Sequence, residues 1–130
     1  MYIILCLDDN NGLAFNHRRQ SQDRIVAEDI RKTVGEKKLW ITDYSRKLFQ
    51  AVSNLEISEN PKEEAKKGEY VFQELETLDT DDEQIEQFII YRWNRVYPAD
   101  VSVEIGAEWK LTETEEFSGF SHEKIWQVRS

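Results

Sequence analysis

A continuous apolar run near the start of the chain is the feature that most constrains its fold. Residues Tyr2–Leu7 read Tyr-Ile-Ile-Leu-Cys-Leu and are followed at once by Asp8-Asp9-Asn10-Asn11-Gly12. A membrane-spanning helix needs about 20 apolar residues, so this run is far too short to be one. A short apolar run that ends in Asp, Asn and Gly is typical of a buried strand followed by a tight turn. The sequence therefore predicts a central strand over these residues.

Helices and further strands alternate after this strand. Ser21 is the predicted N-cap of a helix that runs to Val34 and ends at Gly35. Four side chains at helical spacing form its predicted apolar face: Ile25, Val26, Ile30 and Val34. Further strands are predicted at 39–41, 70–72 and 88–93, and an alternating strand is predicted through Val101, Val103 and Ile105. A second helix is predicted to be capped by Thr42 or Asp43 and to continue to Val52, and a helical turn is predicted from Asn60-Pro61 to Gly68. The C-terminal part is predicted to form a hairpin of 109–117 and 125–128 around Ser118-Gly119.

This order of elements predicts one α/β domain over residues 1–130, with helices packed on a mixed β-sheet. The aromatic fraction of 12% is sufficient for a packed core, and the single Cys excludes an internal disulfide and a cysteine-rich zinc site. The N-terminus lacks the basic region and cleavage site of a signal peptide, so a cytoplasmic location is expected.

The chain is acidic, with 17 Lys and Arg against 26 Asp and Glu and a net charge of −9. Such a charge repels phosphate backbones, so direct non-specific nucleic-acid binding is not expected. Carboxylates are concentrated in 76–86, which holds no basic residue, and recur near the C-terminus. The predicted partner-binding residues are Glu76, Asp79, Asp81, Asp82, Glu83, Glu86, Glu113, Glu115 and Glu116.

A dense carboxylate surface can imitate nucleic-acid phosphates and occupy the basic groove of a partner protein. Long-range attraction would then accelerate association by about 10–10³-fold at low salt. The alternative is a solvated acidic loop that contributes only solubility.

A basic segment offers a different kind of site. His17-Arg18-Arg19 lies between the first strand and the first helix, and with Arg92 it forms a candidate site for a phosphate-bearing ligand. The alternative is that these arginines pair with neighbouring aspartates and fix the loop. The chain has 2 His, His17 and His122, which could act as an acid–base pair in RNA cleavage if they converge. No metal site is predicted, because Asp8-Asp9-Asn10-Asn11-Gly12 lacks the Glu that closes a calcium loop.

Three stretches resemble the dihydrofolate reductase family: the opening Ile3 to Gly12, the segment 85–104, and the C-terminal part from Trp109 to Trp126. The resemblance implies that family's fold. It does not extend to the cofactor motifs. Where the family has a Gly-Arg pair the chain reads Ile41-Thr42-Asp43-Tyr44, and where it has a Gly-Gly pair the chain reads Phe72-Gln73-Glu74-Leu75. We therefore expect a dihydrofolate-reductase-like fold with no NADP or other cofactor.

Other stretches resemble small proteins of Firmicutes genomes and mobile elements that are often labelled ribonuclease Z. These stretches are Asp8-Asp9-Asn10-Asn11-Gly12, Phe15-Asn16-His17-Arg18-Arg19-Gln20-Ser21-Gln22-Asp23, Tyr91-Arg92-Trp93-Asn94-Arg95 and Ser121-His122-Glu123-Lys124. The label requires a His-x-His-x-Asp-His zinc cluster, which a chain with 2 His cannot form. The resemblance implies an anti-defence role, and the size and acidity are similar to those of anti-CRISPR inhibitors.

The sequence as a whole predicts a non-enzymatic inhibitor of a type II CRISPR effector nuclease. Its acidic surface would bind the basic channel of the effector and block guide loading or target binding. The alternatives are a nucleotide or small-ligand binder that uses His17, Arg18, Arg19 and Arg92, and a small ribonuclease.

Overall fold

The predicted central strand is confirmed and lies in the middle of a seven-stranded sheet. In the computed structural model, strand β1 spans Tyr2–Leu7. Alternation along the strand sends Ile3, Leu5 and Leu7 into one apolar cluster and Ile4 into a second cluster on the opposite face. Because both faces of β1 are covered, its sequence is apolar without interruption.

The structure describes residues 1–8, 10–16, 18–19, 24–75, 82–93, 98–103, 105, 109–116 and 121–129. The strands after β1 are β2 Gly12–Phe15, β3 Arg18–Arg19, β4 Leu39–Ile41, β5 Leu55–Ile57, β6 Tyr70–Phe72, β7 Gln87–Trp93, β8 Val101–Ser102, β9 Trp109–Glu116 and β10 Ser121–Arg129. The helices are α1 Arg24–Val34, a 3₁₀ helix Asp43–Phe49 and α2 Pro61–Glu64.

The large sheet has the strand order β5-β4-β6-β1-β7-β10-β9. The pairs β4–β5, β4–β6, β1–β6 and β1–β7 are parallel, whereas β10 runs antiparallel to both β7 and β9. A smaller sheet has the order β3-β2-β8. The fold is therefore a mixed α/β domain, as predicted, with a mostly parallel centre and an antiparallel C-terminal hairpin.

Helix α1 covers one face of the sheet with Val26, Ile30 and Val34, which are buried. The prediction that Ile25 belongs to this face is wrong, because its side chain is 45% exposed. The buried residues, which are spaced four apart, form a narrow apolar stripe along the helix. Ile25 immediately precedes Val26, so its side chain lies on a different side of the helix. The predicted end of the helix is confirmed: Gly35 has φ +60 and its N–H donates to the Arg31 carbonyl.

A buried hydrogen bond fastens α1 to the sheet. The Tyr91 hydroxyl on β7 donates to Asp29 Oδ2 over 2.5 Å. The Tyr91 side chain is fully buried, and this burial, followed by the bond to Asp29, raises the pKa of its hydroxyl well above the usual value. The phenol therefore stays neutral in the folded protein at every ordinary pH.

Several short elements differ from the sequence predictions. The helix expected after residue 42 is a 3₁₀ helix, and α2 ends at Glu64 rather than continuing to Gly68. Strands β2, β3 and β5 were not predicted, because two to four residues are too few to show a period. Of the strand predicted through Val101, Val103 and Ile105, residues Val101–Ser102 form β8, and residue 104 lies outside the described residues.

The predicted turn after β1 is built around a buried carboxylate. Asp8 is 0% exposed, and its Oδ1 accepts hydrogen bonds of 2.8 Å from the backbone N–H groups of Asn10 and Gly12. Asn11 adopts φ 60, which Asn tolerates better than most residues. The Arg92 guanidinium braces the turn by donating from Nη1 to the Asp8 carbonyl over 2.8 Å and to Asn11 Oδ1 over 2.9 Å.

Removing this carboxylate should destabilise the fold. We expect Asp8→Ala to lower the free energy of unfolding by about 2–3 kcal/mol, because the buried Gly12 N–H loses its acceptor. Urea denaturation followed by Trp fluorescence measures the loss. Asp100→Ala is the matched control, since Asp100 Oδ2 accepts a bond from the exposed Asn16 N–H over 3.0 Å. A loss no greater for Asp8→Ala than for this control would contradict the assignment.

Tyr91 should make the protein sensitive to alkali. The unfolded phenol ionises near pH 10, whereas the folded one stays neutral, so its contribution is complete below pH 10 and decreases as the pH rises further. We expect Tyr91→Phe to flatten the alkaline part of a stability profile measured from pH 7 to 11. Tyr70→Phe is the comparison, because burial raises the pKa of Tyr70 too, though this ring is only half-buried. An unchanged slope in Tyr91→Phe would refute this account.

Candidate functional site

A cleft of about 670 Å³ lies beyond the carboxyl ends of β4, β5 and β6. Its walls come from the segments 42–44, 57–63 and 72–75, each of which continues directly from one of these parallel strands. Loops that follow neighbouring parallel strands meet at one edge of the sheet, which is the common ligand position in open α/β folds. We call this cavity the strand-end cleft.

Carboxylates dominate the charged groups around the strand-end cleft. Asp43, Glu59, Glu63 and Glu74 line it, and Lys62 is the one cation among the lining residues that the structure describes. Glu74 is only 8% exposed, and its Oε1 accepts a hydrogen bond of 2.5 Å from the buried Ser45 hydroxyl. The cleft therefore presents an excess of formal negative charge, with one carboxyl group fixed in its wall.

Apolar side chains occupy the remaining wall of the cleft. Tyr44 is 43% exposed and Ile57 is 39% exposed, and both line the cavity. Phe72 lies deeper and packs edge-on against Phe49, with ring centroids 4.8 Å apart. Large apolar groups at the surface of a cavity offer contact area to a ligand.

Part of the predicted acidic surface lies in a turn just before β7. The Asp82 carbonyl accepts a hydrogen bond from the Ile85 N–H over 3.1 Å, and Asp82 Oδ1 accepts one from the Gln84 N–H over 2.9 Å. Glu83 is exposed, whereas Ile85 is buried in the core. This turn, residues 82–86, is therefore attached to the core through Ile85.

Glu86 has internal partners in this turn. Its Oε2 is 2.8 Å from the Met1 ammonium and accepts a 2.8 Å hydrogen bond from the Gly68 N–H. These two contacts lower the pKa of the Glu86 carboxyl below its usual range, with the ammonium the larger cause. Its contacts hold the chain together, whereas Glu83 is exposed and Asp82 is half-buried.

The other described acidic residues lie on a different part of the sheet. Glu113, Glu115 and Glu116 belong to β9, an edge strand. Through β10, Glu116 is in register with the Arg92 end of β7, whereas residues 82–86 precede the opposite end of that strand. The structure therefore divides the predicted acidic set into two groups. Glu76, Asp79 and Asp81 lie outside the described residues.

The described arginines of the predicted phosphate site lie on two strands, β3 and β7, and the site stays a prediction. Arg92 bonds to Asp8 and Asn11 and so supports the turn after β1. Arg18 and Arg19 form the short edge strand β3, and Arg18 is exposed. His17 lies outside the described residues, and His122 belongs to β10. The histidine pair proposed for RNA cleavage stays a prediction.

Metal-binding clusters and membrane-spanning helices are both absent from the described part of the chain. Among those residues, no group of three or more His, Cys, Asp or Glu side chains is placed to hold a metal ion. Within the same ranges, no helix is long and apolar enough to cross a membrane.

The strand-end cleft itself was missed by the sequence analysis, which considered Asp43 and Glu74 only as departures from glycine motifs. A usable signal was present: Gln73-Glu74 follows the buried strand β6 directly, and Thr42-Asp43 follows β4. Polar residues just after buried parallel strands mark the ligand-binding edge of such sheets. The positions of Ile57 and Glu59 in the cleft could not be predicted in this way, because strand β5 itself was not predicted.

Comparison with known proteins supports the fold and nothing finer. No family model matches the chain, and no curated protein matches it. Among solved structures, the chain is similar to dihydrofolate reductase from Enterococcus faecalis complexed with NADP(H) and RAB-propyl. The TM-score is 0.65 at 9% sequence identity, covering 98% of this chain and 95% of the reductase chain. The whole chain therefore has a dihydrofolate-reductase-like fold.

Proposed function

We propose that the protein is a non-enzymatic inhibitor that binds the basic nucleic-acid channel of a type II RNA-guided nuclease. Asp82 and Glu83 present the charges that the channel would otherwise receive from phosphates. Such effectors hold the guide–target duplex through its backbone charge, so a carboxylate array can compete for the same Lys and Arg side chains.

The anchoring of the 82–86 turn is the observation that carries this proposal. Ile85 is 3% exposed within the core, and Glu86 is held by Met1 and Gly68. Asp82 and Glu83 therefore lie on a short turn whose C-terminal side is held by Ile85 and Glu86. Charges held in place lose less conformational entropy on binding than those of a loose loop, which favours a binding surface over a solubility tail.

The surroundings of the candidate phosphate sites favour a basic partner over a free nucleotide. Arg92 is engaged with the turn after β1, and carboxylates line the strand-end cleft. NADP(H) bound to the reductase of similar fold carries phosphates, and an anion of that kind would meet repulsion from Glu59, Glu63 and Glu74 here. Together with the net charge of −9, this supports a positively charged partner.

Charge reversal in the turn should weaken inhibition. We expect Asp82→Lys with Glu83→Lys to weaken inhibition of target cleavage by at least about tenfold at low salt, because attraction to the channel is replaced by repulsion. The assay adds the protein to a type II nuclease before or after the guide RNA and follows target cutting and guide integrity on gels. Stronger inhibition before guide loading is the expected result.

The matched control is Glu36→Lys with Glu56→Lys, which changes the net charge equally at two exposed or half-exposed positions away from the turn. Equal loss in both variants would mean that only total charge matters and would remove the turn from the proposal. Failure of the unaltered protein to inhibit in either order would refute the proposal as a whole. Shortened guide RNA that depends on His17 or His122 would favour the ribonuclease alternative.

A further inference from the structure

We propose that the strand-end cleft binds an extended organic cation of the aliphatic polyamine class. This site is separate from the inhibitory surface proposed above. The cleft lies at the carboxyl ends of the parallel strands, whereas residues 82–86 precede the amino end of β7. The two proposals can therefore fail independently.

The size of the cleft suits a small organic molecule. Its volume of about 670 Å³ falls inside the range of roughly 300–1,000 Å³ that is usual for ligand pockets. A single metal ion would fill only a small part of that space. The lining is contributed by three separate chain segments, so a ligand that fills the cleft contacts all of them.

The charges of the cleft select a cation. Glu59 and Glu63 are exposed on the segment that leaves β5 and enters α2, and Glu74 contributes a carboxyl group from the opposite segment. Asp43 adds less, because it forms an ion pair with Arg46 at 2.7 Å. Lys62 offsets one of these charges but leaves the carboxylates in excess. Ammonium groups are therefore attracted, and phosphates are repelled.

The apolar groups of the cleft indicate which part of the ligand lies between its ammonium groups. Tyr44 and Ile57 are two of the four large apolar side chains that are most exposed among the described residues. Methylene segments can pack on them, and an ammonium group near the Tyr44 ring gains a cation–π contact. Alternating charged and methylene segments are the defining pattern of aliphatic polyamines.

Calorimetric titration of the purified protein with spermine in 150 mM NaCl tests the proposal. We expect saturable binding of one spermine per chain. Glu59→Gln with Glu63→Gln should weaken it roughly tenfold, since two exposed charge pairs are worth about 0.2–1 kcal/mol each and together approach the 1.4 kcal/mol of one decade. Tyr44→Ala should weaken binding about threefold or more through loss of the ring contact. Both sets of substitutions are at exposed positions and leave the core intact.

The control is Glu36→Gln with Glu56→Gln, which removes the same charge outside the cleft. Equal weakening by the control pair, or titration without saturation, would show general attraction to an acidic protein and overturn the proposal. Tighter binding of ATP than of spermine would also overturn it. Nuclease inhibition is measured on the same variants: inhibition that persists in Glu59→Gln with Glu63→Gln separates this cleft from the function proposed above.

Discussion

The burial of β1 on both faces is the constraint on which the rest of the structure depends. Ile3, Leu5 and Leu7 require cover on one side, and Ile4 requires it on the other. Helix α1 supplies one cover and is held by the hydrogen bond between Tyr91 and Asp29. The other side is closed by residues distant in sequence. One of them is Trp109, whose ring centroid lies 4.5 Å from that of Phe88. On one side of β1, the strands β6, β4 and β5 follow in parallel pairs, so their carboxyl ends lie at one edge of the sheet, where the strand-end cleft is found.

The same alignment explains how one fold can present different ligand chemistry. Binding a pyrophosphate at the end of a strand requires backbone N–H groups at close range, and glycine provides that approach. Here Gln73 and Glu74 follow β6, and the Glu74 carboxyl accepts a hydrogen bond from Ser45 at the start of the 3₁₀ helix region. The segment after β6 thus presents an amide and a carboxyl side chain where a glycine pair would present bare backbone.

The features that could be predicted from the sequence are those that a short stretch of residues specifies by itself. Strands β1, β4 and β6 were predicted because uninterrupted apolar runs mark strands buried on both faces, and the end of α1 was predicted because Gly35 suits φ +60. Strand β5 was missed because Leu55-Glu56-Ile57 is too short to show alternation. The bond between Tyr91 and Asp29 joins residues 62 positions apart, and the cleft joins three distant segments. Contacts of this kind depend on register and topology, which no local pattern specifies.

The distance between the carboxylates of the turn before β7 and those of the strand-end cleft decides how far the net charge of the chain can explain binding at either place. The turn before β7 and the strand-end cleft lie at opposite ends of the parallel strands, and a strand of six residues is about 20 Å long. Salt at physiological concentration screens charges beyond about 8 Å. The carboxylates at one end therefore contribute little to the local potential at the other, although both add to the long-range attraction of a cation. Association rates should follow the net charge, whereas the stability of each bound complex should follow only the side chains that surround it.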